Sequence, residues 1–249
     1  MKKIKLENFN CVEFKDFIDK MMSFSSSVFF RITPEGVISS VYNNTRDIVK
    51  ISSIERKELF DSTFDEEIKM GFYEGKRLLN ILKHFGSMAT AFIEYDVYED
   101  ENVATRFAIA DTELRVSTEC LDPSIDYIEM SKSDIERCSS EDDKVYQTEF
   151  LATYVKKVSS LFNIDDDDYF NIRVDSKGVF AKGKNFSTIL TNSVTMENPF
   201  EVTLTKDSFK AIDSDENHTM VVSENKVIFK SLDTNTTLIL STVIKESDE

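Results

Sequence analysis

The feature that most constrains the fold of this chain is a repeated order of short segments. A strand-like segment, an amphipathic helix and three strand-like segments follow one another about four times, on both sides of a polar stretch that begins near residue 121. The first occurrence opens with the strand-like "MKKIKLENF" and the helical "VEFKDFIDKMMSF". An internal repeat of this kind predicts repeated structural units. We therefore predict an α+β fold of two similar domains, each with two helices packed on a largely antiparallel sheet.

The domain boundaries follow a change in composition. The stretch "DPSIDYIEMSKSDIERCSSEDDK" is polar and acidic, and the repeat restarts after it with the helical "TEFLATYVKKVSSLF". We place the N-terminal domain at 1–120, an interdomain linker at 121–144 and the C-terminal domain at 145–249. A further helix, at 76–85, is predicted to end at Gly86, because glycine commonly follows the last helical residue.

The charge balance of the chain favours solubility and argues against nucleic acid as a simple partner. The chain has 46 acidic and 30 basic residues, a formal net charge of −16. It contains no apolar run long enough to span a bilayer, and its N-terminus lacks the apolar core of a secretory signal. The widely spaced Cys11, Cys120 and Cys138 fit a reducing compartment better than a disulfide framework. We expect a cytoplasmic protein without a membrane association.

No motif in the chain indicates catalysis. The run "DDDD" at 165–168 lacks the glycine and the terminal glutamate of an EF-hand loop, so an acidic turn between a helix and a strand is the better interpretation. His84 and His218 are isolated, and no cysteine or histidine spacing suggests zinc. Neither a glycine-rich phosphate loop nor a nucleophile elbow occurs. We expect a protein that is not an enzyme and that has no metal or cofactor.

Two predicted helices have an unusual charge pattern. The segments "KRLLNILKHF" at 76–85 and "LATYVKKVSSLF" at 151–162 carry basic residues and no acidic ones, although about a fifth of the chain is acidic. At about 100° per residue, the apolar side chains of each helix fall on one side and the basic ones on the other. An ordinary solvated face gives the same pattern, so each helix alone leaves both interpretations open.

The order of these segments resembles that of the DNA sliding clamps, namely the two-domain clamps of the PCNA type and, more closely, of T-even-type phages. "EEIKMGFYEGKRLLNILKHFG" resembles the clamp segment in which a strand runs into the second helix of the first domain. "FAIADTELRVSTECLDPS" resembles the phage clamp, with Ile109-Ala110-Asp111 in a strand and Asp122-Pro123-Ser124 entering the linker. "TTLILSTVIKESDE" resembles the clamp ending, an apolar last strand followed by an acidic tail.

The resemblance implies that three copies close into a ring of six domains, with helices lining the hole and sheets outside. Duplex DNA passes through such a ring, and lysine or arginine near it releases counterions and holds it without reading sequence. The residues that the resemblance places toward DNA are Lys76, Arg77, Lys83, Lys156 and Lys157, with Lys15, Lys20, Lys206, Lys210 and His84 as further candidates. The helix of Lys15 and Lys20 also carries Glu13, Asp16 and Asp19.

The resemblance also implies a pocket for short partner peptides below the interdomain linker, beside the C-terminal strand. The matching residues are Ile125, Tyr127, Ile128, Thr242, Val243 and Ile244. An apolar cluster within an acidic linker is compatible with a binding patch. The same residues could equally pin the linker to the second domain.

The function implied is that of a homotrimeric sliding clamp, a non-catalytic processivity factor. It would encircle duplex DNA, tether the replicative DNA polymerase and be loaded by a separate clamp loader in the cytoplasm, which is the host cytoplasm if the chain comes from a bacteriophage. Two alternatives stay open. One is a clamp relative that acts mainly in transcription activation, and the other is a structural or assembly protein of repeated α+β domains that does not bind DNA.

Overall fold

The chain folds into two compact units. The computed structural model describes residues 1–22, 25–43, 45–122, 130–192 and 198–243. The first unit comprises Met1–Asn43 and Lys50–Ser131, and the second comprises Asn44–Val49 and Lys132–Glu249. Among the described residues, none of the helices has the length and apolar character that crossing a membrane requires.

The elements of the first half alternate strands with helices. The strands are β1 (Lys2–Asn10), β2 (Val28–Thr33), β3 (Gly36–Tyr42), β4 (Ile48–Glu55), β5 (Ile68–Phe72), β6 (Met88–Tyr98), β7 (Glu101–Ala110) and β8 (Arg115–Glu119). The helices are α1 (Cys11–Met22), α2 (Arg56–Leu59) and α3 (Gly75–Leu82).

The second half repeats this alternation. The strands are β9 (Lys144–Phe150), β10 (Tyr169–Asp175), β11 (Gly178–Lys182), β12 (Ser187–Thr191), β13 (Phe200–Thr205), β14 (His218–Ser223), β15 (Lys226–Ser231) and β16 (Thr236–Ser241). The helices are α4 (Lys132–Ser139), α5 (Ala152–Leu161) and α6 (Lys206–Lys210), and a short 3-10 helix, Phe162–Ile164, follows α5.

The predicted α+β fold and its repeat are confirmed. The order of one strand, one helix and three strands occurs four times. The four repeats begin with β1, β5, β9 and β13, and their helices are α1, α3, α5 and α6. The repeat places two helices on largely antiparallel sheet in each unit. The short helices α2 and α4 are additions that the sequence pattern did not predict.

The first unit is built on one sheet with a fork. Its strand order is β1-β6-β7-β5-β2-β3-β4, and β8 pairs with β7 beside β5. Among the pairs with a described register, β5 and β7 run parallel through Ile68 with Asn102 and Lys69 with Val103, and the others are antiparallel. The fork arises because β7 changes partner along its length, so that its second half, Arg106 to Ala110, pairs with β8. Within the described part of the chain, the far side of β8 is therefore a strand edge.

The second unit has two sheets. One has the order β16-β15-β14-β9, and the other has the order β12-β11-β10-β13, with β12 at its edge. All of the described pairings in these sheets are antiparallel.

Two glycines mark matching turns in the repeat. Gly36 begins β3 and Gly178 begins β11, with φ of 143° and 148°. A Cβ at Gly36 would lie 2.0 Å from the Ile54 carbonyl oxygen, and one at Gly178 would lie 2.2 Å from that of Thr191. Only glycine readily adopts this backbone conformation and allows so close an approach. The two glycines therefore occupy equivalent positions in two copies of the repeat.

Phenylalanine dominates both cores. In the first unit Phe14 on α1 packs edge to face on Phe9 and Phe30, with ring centroids 5.0 and 5.4 Å apart. In the second unit Phe209 on α6 packs on Phe170 of β10 at 5.1 Å. Aromatic pairs in these geometries add stabilisation beyond the area they bury. The helices are thereby fixed on the sheets, and their opposite sides are left to solvent.

Two predicted helix boundaries are wrong. The residues "TEF" before Leu151 were expected to open a helix but belong to β9, where Thr148 pairs with Met220 and Phe150 pairs with His218. Helix α3 ends at Leu82. After it the chain continues in turns, in which the amides of His84 and Phe85 donate to the carbonyl oxygens of Ile81 and Leu82. Its end therefore precedes Gly86, whose φ is not in the left-handed region.

Candidate nucleic-acid interface

Helix α3 presents a basic side to solvent. Its buried residues are Gly75, Leu78, Leu79 and Leu82. Its exposed residues, counting the turn that follows it, are Lys76, Arg77, Asn80, Lys83 and His84. The apolar spacing of three and four residues fixes this division, because it places all the leucines on the core side.

The cations of α3 form no ion pairs with the residues that the structure describes. Lys76, Arg77 and Lys83 are exposed, and no described carboxylate lies within pairing distance of them. Lys76 and Arg77 also occupy the first turn, where the helix dipole disfavours positive charge. The first turn contains no acidic residue that would offset this, and the preceding Glu74 makes no side-chain cap. Helix stability therefore does not explain these charges.

Helix α5 has the same pattern but different neighbours. Val155 and Val158 are buried, while Lys156 and Lys157 are exposed. The Lys156 ammonium forms an ion pair of 2.8 Å with Asp215. Lys157 Nζ donates to the carbonyl oxygen of Ile189 on β12 at 3.4 Å. Both cations therefore have a partner that the local sequence does not contain.

The prediction that Lys206 belongs to an exposed basic face is wrong. Its side chain is only 7 % exposed. Its ammonium donates to the carbonyl oxygens of Phe162, at 3.3 Å, and Asp165, and it lies 5.7 Å from the centre of the Phe162 ring. A buried ammonium needs such acceptors, so Lys206 holds the turn after α5 and does not face solvent.

The remaining predicted cations lie in mixed surroundings. Lys210 is exposed and pairs with Asp207 at 2.8 Å. Lys15 and Lys20 on α1 are half-buried, while the carboxylates of the same helix are exposed. The sequence therefore identified exposed, uncompensated cations on α3 but not on α6.

The acidic run after α5 is partly internal. Asp165 is buried, and its carboxylate accepts hydrogen bonds from the amides of Asp167, Lys184 and Asn185. Burial alone would raise the pKa of Asp165, but these amides and the nearby Lys206 hold its pKa below the ordinary value. The run is thus a turn between a helix and a strand, and its first carboxylate ties that turn to the β11–β12 connection.

The predicted peptide pocket is only partly within the described residues. Ile125, Tyr127, Ile128 and Ile244 lie outside them. Thr242 and Val243 are half-buried, and their amides donate to the carbonyl oxygens of Asn225 and Thr203. The pocket itself stays a prediction.

A groove beside α3 was not foreseen from the sequence. It has a volume of about 660 Å³ and is lined by Glu74, Lys76, Arg77, Asn80, Ile81, His84, Leu114 and Val116. Leu114 is 38 % exposed and Val116 belongs to the edge strand β8. The alternation in "ELRVSTE" signals a strand, but which strand stays unpaired depends on the fork in the sheet. Among the described residues, no cluster of three or more histidine, cysteine or acidic side chains is arranged to hold a metal ion.

Comparison with known proteins identifies the fold. No protein-family model and no curated protein matches the chain. PCNA of A. fulgidus, in a structure with the C-terminal region of FEN-1 bound to it, aligns with a TM-score of 0.67 at 15% identity, over 99% of this chain and 100% of that one. PCNA from Thermococcus kodakaraensis aligns with a TM-score of 0.65 at 14% identity, over 97% and 100%.

The chain therefore has the sliding-clamp fold. Within that fold the likeness is to clamps of the PCNA type, over nearly the whole chain, which confirms the resemblance drawn from the sequence. The closer likeness to phage clamps stays a prediction.

Proposed function

We propose that this protein is a homotrimeric sliding clamp, a non-catalytic factor that encircles duplex DNA and tethers a DNA polymerase in the cytoplasm. The observation that carries the proposal is the side of α3, where Lys76, Arg77 and Lys83 are exposed and have no described carboxylate partner on a clamp fold. Duplex DNA is densely anionic, and such cations attract it without contacts to bases. A clamp that slides needs this kind of diffuse attraction.

Two strand edges support assembly into a ring. Among the described strands, β8 pairs only with β7 and β12 only with β11. Exposed apolar side chains accompany both edges, Leu114 beside β8 and Ile189, 49 % exposed, on β12. Open edges of this kind favour pairing with another chain. We propose that β8 of one copy pairs with β12 of the next, a head-to-tail contact that closes when the rotation fits a ring.

The proposed division of the chain follows the sequence pattern, with clamp domains at 1–120 and 145–249 joined by a linker at 121–144. Polymerase and clamp loader would bind through short peptides in the pocket of Ile125, Tyr127, Ile128, Thr242, Val243 and Ile244. Tyr127→Ala with Ile128→Ala is expected to weaken binding of a polymerase peptide and to leave the oligomer unchanged. Unchanged affinity would move the peptide site elsewhere.

The oligomer is tested by mass. Size-exclusion chromatography with light scattering is expected to give three times the 28.6 kDa mass of the chain. Ile189→Glu is expected to shift this mass toward the monomer, because it places a charge in the proposed apolar contact. A wild-type monomer at micromolar concentration and moderate salt would refute the ring.

DNA binding is tested by retention on a circular duplex and by polymerase processivity over a salt series. Lys83→Glu with Lys157→Glu is expected to lower both, most strongly at low salt where attraction is least screened. Each lost phosphate contact should reduce the slope of log affinity against log salt by about 0.9. A variant that matches the wild type at every salt concentration would show that these helices do not face DNA.

A further inference from the structure

Helix α1 carries an acidic side in the same layer as the basic side of α3. Glu13, Asp16 and Asp19 are all exposed. None of the three forms an ion pair with a described residue, although Lys15 and Lys20 belong to the same helix. Their carboxylates are therefore exposed on the solvent side of the helix, and Lys15 and Lys20, one turn away from Asp19 and Asp16, offset only part of the negative charge.

The two helices are direct neighbours. Helices α1 and α3 contact each other, and both bury their apolar sides in the core of the first unit. At the contact, a Cβ on Gly75 would lie 2.6 Å from the Sδ atom of Met22 at the end of α1. Packed helices lie about 8–10 Å apart, which is close to the Debye length of about 8 Å at physiological salt. The acidic and basic sides are therefore close enough to weaken each other's field but not to cancel it.

Neither the helix dipole nor the helix propensity accounts for two of these three carboxylates. Asp19 lies in the last turn of α1, where the helix dipole disfavours negative charge. Asp16 lies in the interior of the helix, where aspartate has a poor helix propensity. Glu13 differs, since it lies in the first turn and its charge there is favourable. The chain thus carries two exposed acids beside the basic side of α3, at positions that neither the helix dipole nor the intrinsic helix propensity favours.

We propose that Asp16 and Asp19 repel the duplex from α1, restrict DNA contact in the first unit to α3 and limit the time for which the clamp holds DNA. The proposal rests on the proposed DNA-binding function and adds a means by which the strength of DNA binding is limited. A clamp that bound DNA too firmly would slide slowly. The acidic side of α1, next to the basic side of α3, lowers the affinity for DNA without removing any phosphate contact. The balance between the acidic side of α1 and the basic side of α3 then sets how long the clamp is retained on DNA.

The test is Asp16→Asn with Asp19→Asn, which keeps the side-chain shape and removes two negative charges per chain. Two unit charges about 10 Å from a phosphate in a watery surrounding should change retention on a circular duplex by about two- to fourfold for each engaged protomer. We expect longer retention at low salt and convergence with the wild type at high salt. Slower diffusion of the loaded protein along the duplex should accompany the longer retention.

The matched control is Glu35→Gln with Glu224→Gln. Both glutamates are exposed and lie in turns between strands, so the control changes the net charge by the same amount outside α1 and α3. An equal gain in retention from the control would show that only net charge matters and would overturn the proposal, as would an unchanged α1 variant. If the wild type is not retained on circular DNA at all, the proposed function fails first, and that result is distinct from a retained wild type with an indifferent α1 variant.

Discussion

Helices α3 and α5 have the same charge pattern in sequence and different surroundings in space. Each buries an apolar side, and each carries cations opposite to it with no acid in the first turn. On α3 the cations meet no described carboxylate, whereas Lys156 on α5 pairs with Asp215 and Lys157 reaches a backbone carbonyl of β12. The availability of a charge is therefore decided by what the fold brings beside it.

Exposed and buried charged groups also differ in what they do. In the first unit the basic groups of α3 stay on the surface. In the second unit Lys206, Asp165 and His218 are buried and serve the internal structure. We therefore expect substitutions of the α3 cations to affect mainly DNA binding and substitutions of these buried groups to affect mainly stability.

The largest effect is expected from Lys206→Met. It removes the ammonium that donates to the carbonyl oxygens of Phe162 and Asp165. The Phe162 oxygen keeps a bond from the Asp165 amide, whereas the Asp165 oxygen loses its ammonium donor in a buried place. The free energy of unfolding should fall by about 1–3 kcal/mol. Urea denaturation measures this, with Lys210→Met on the exposed side of the same helix as the control, expected within about 0.5 kcal/mol of wild type. Equal losses from both variants would contradict the internal role of Lys206.

The next effect separates α3 from α5 directly. Lys76→Gln with Lys83→Gln should lower retention on circular DNA about tenfold and flatten its salt dependence, since each lost contact removes about 0.9 from the slope. Lys156→Gln with Lys157→Gln removes the same charge but should lower retention only about twofold, because Lys156 is already paired. Equal losses from the two pairs would break the comparison.

A pH titration tests the internal charges of the second unit. His218 is buried, and its Nδ1 has no hydrogen-bond partner among the residues that the structure describes. Burial lowers the pKa of His218, against the negative charges of Glu216, Asp213 and Asp233, which raise it. The unfolded chain therefore takes up this proton more readily, so stability is full above the ordinary pKa of 6.5 and is lost as the pH falls below it.

The contribution of one histidine can be no steeper than about 1.4 kcal/mol per pH unit. His218→Gln should flatten the pH dependence of urea unfolding below pH 6.5, whereas His84→Gln on the exposed side of α3 serves as the control. A wild-type slope retained in the His218 variant would assign the acid sensitivity to other groups.

The smallest effect is expected from freeing a cation on α5, which tests the comparison between α3 and α5. Asp215→Asn releases Lys156 from its ion pair. An exposed pair of this kind contributes at most about 1 kcal/mol, so folding should change little. Retention on DNA should rise by about twofold, making α5 more like α3. A fall in retention would show that Asp215 positions Lys156 for DNA.

The order of the repeated strands and helices and the faces of α3 and α5 were determined by the sequence alone. The alternation in the strands and the leucine spacing of α3 are local patterns, because a helix or strand has a fixed period. For that reason the exposure of Lys76, Arg77 and Lys83 agrees with the pattern read from ten residues. Whether they contact DNA stays a prediction.

Only the tertiary structure decided the state of the other charges and the less regular boundaries. The residues "TEF" could extend a helix by local preference, but pairing with β14 draws them into β9. The local sequence around Lys206 is compatible with an exposed lysine, yet its ammonium is buried against carbonyl groups of the segment that follows α5. Asp215, which pairs with Lys156, comes from a distant part of the chain. The free edge of β8 depends on β5, which is also distant in sequence and takes the rest of the β7 edge. A local pattern gives the direction of a side chain, and the fold supplies its partners, because Coulomb and hydrogen-bond energies depend on distance in space and not on separation along the chain.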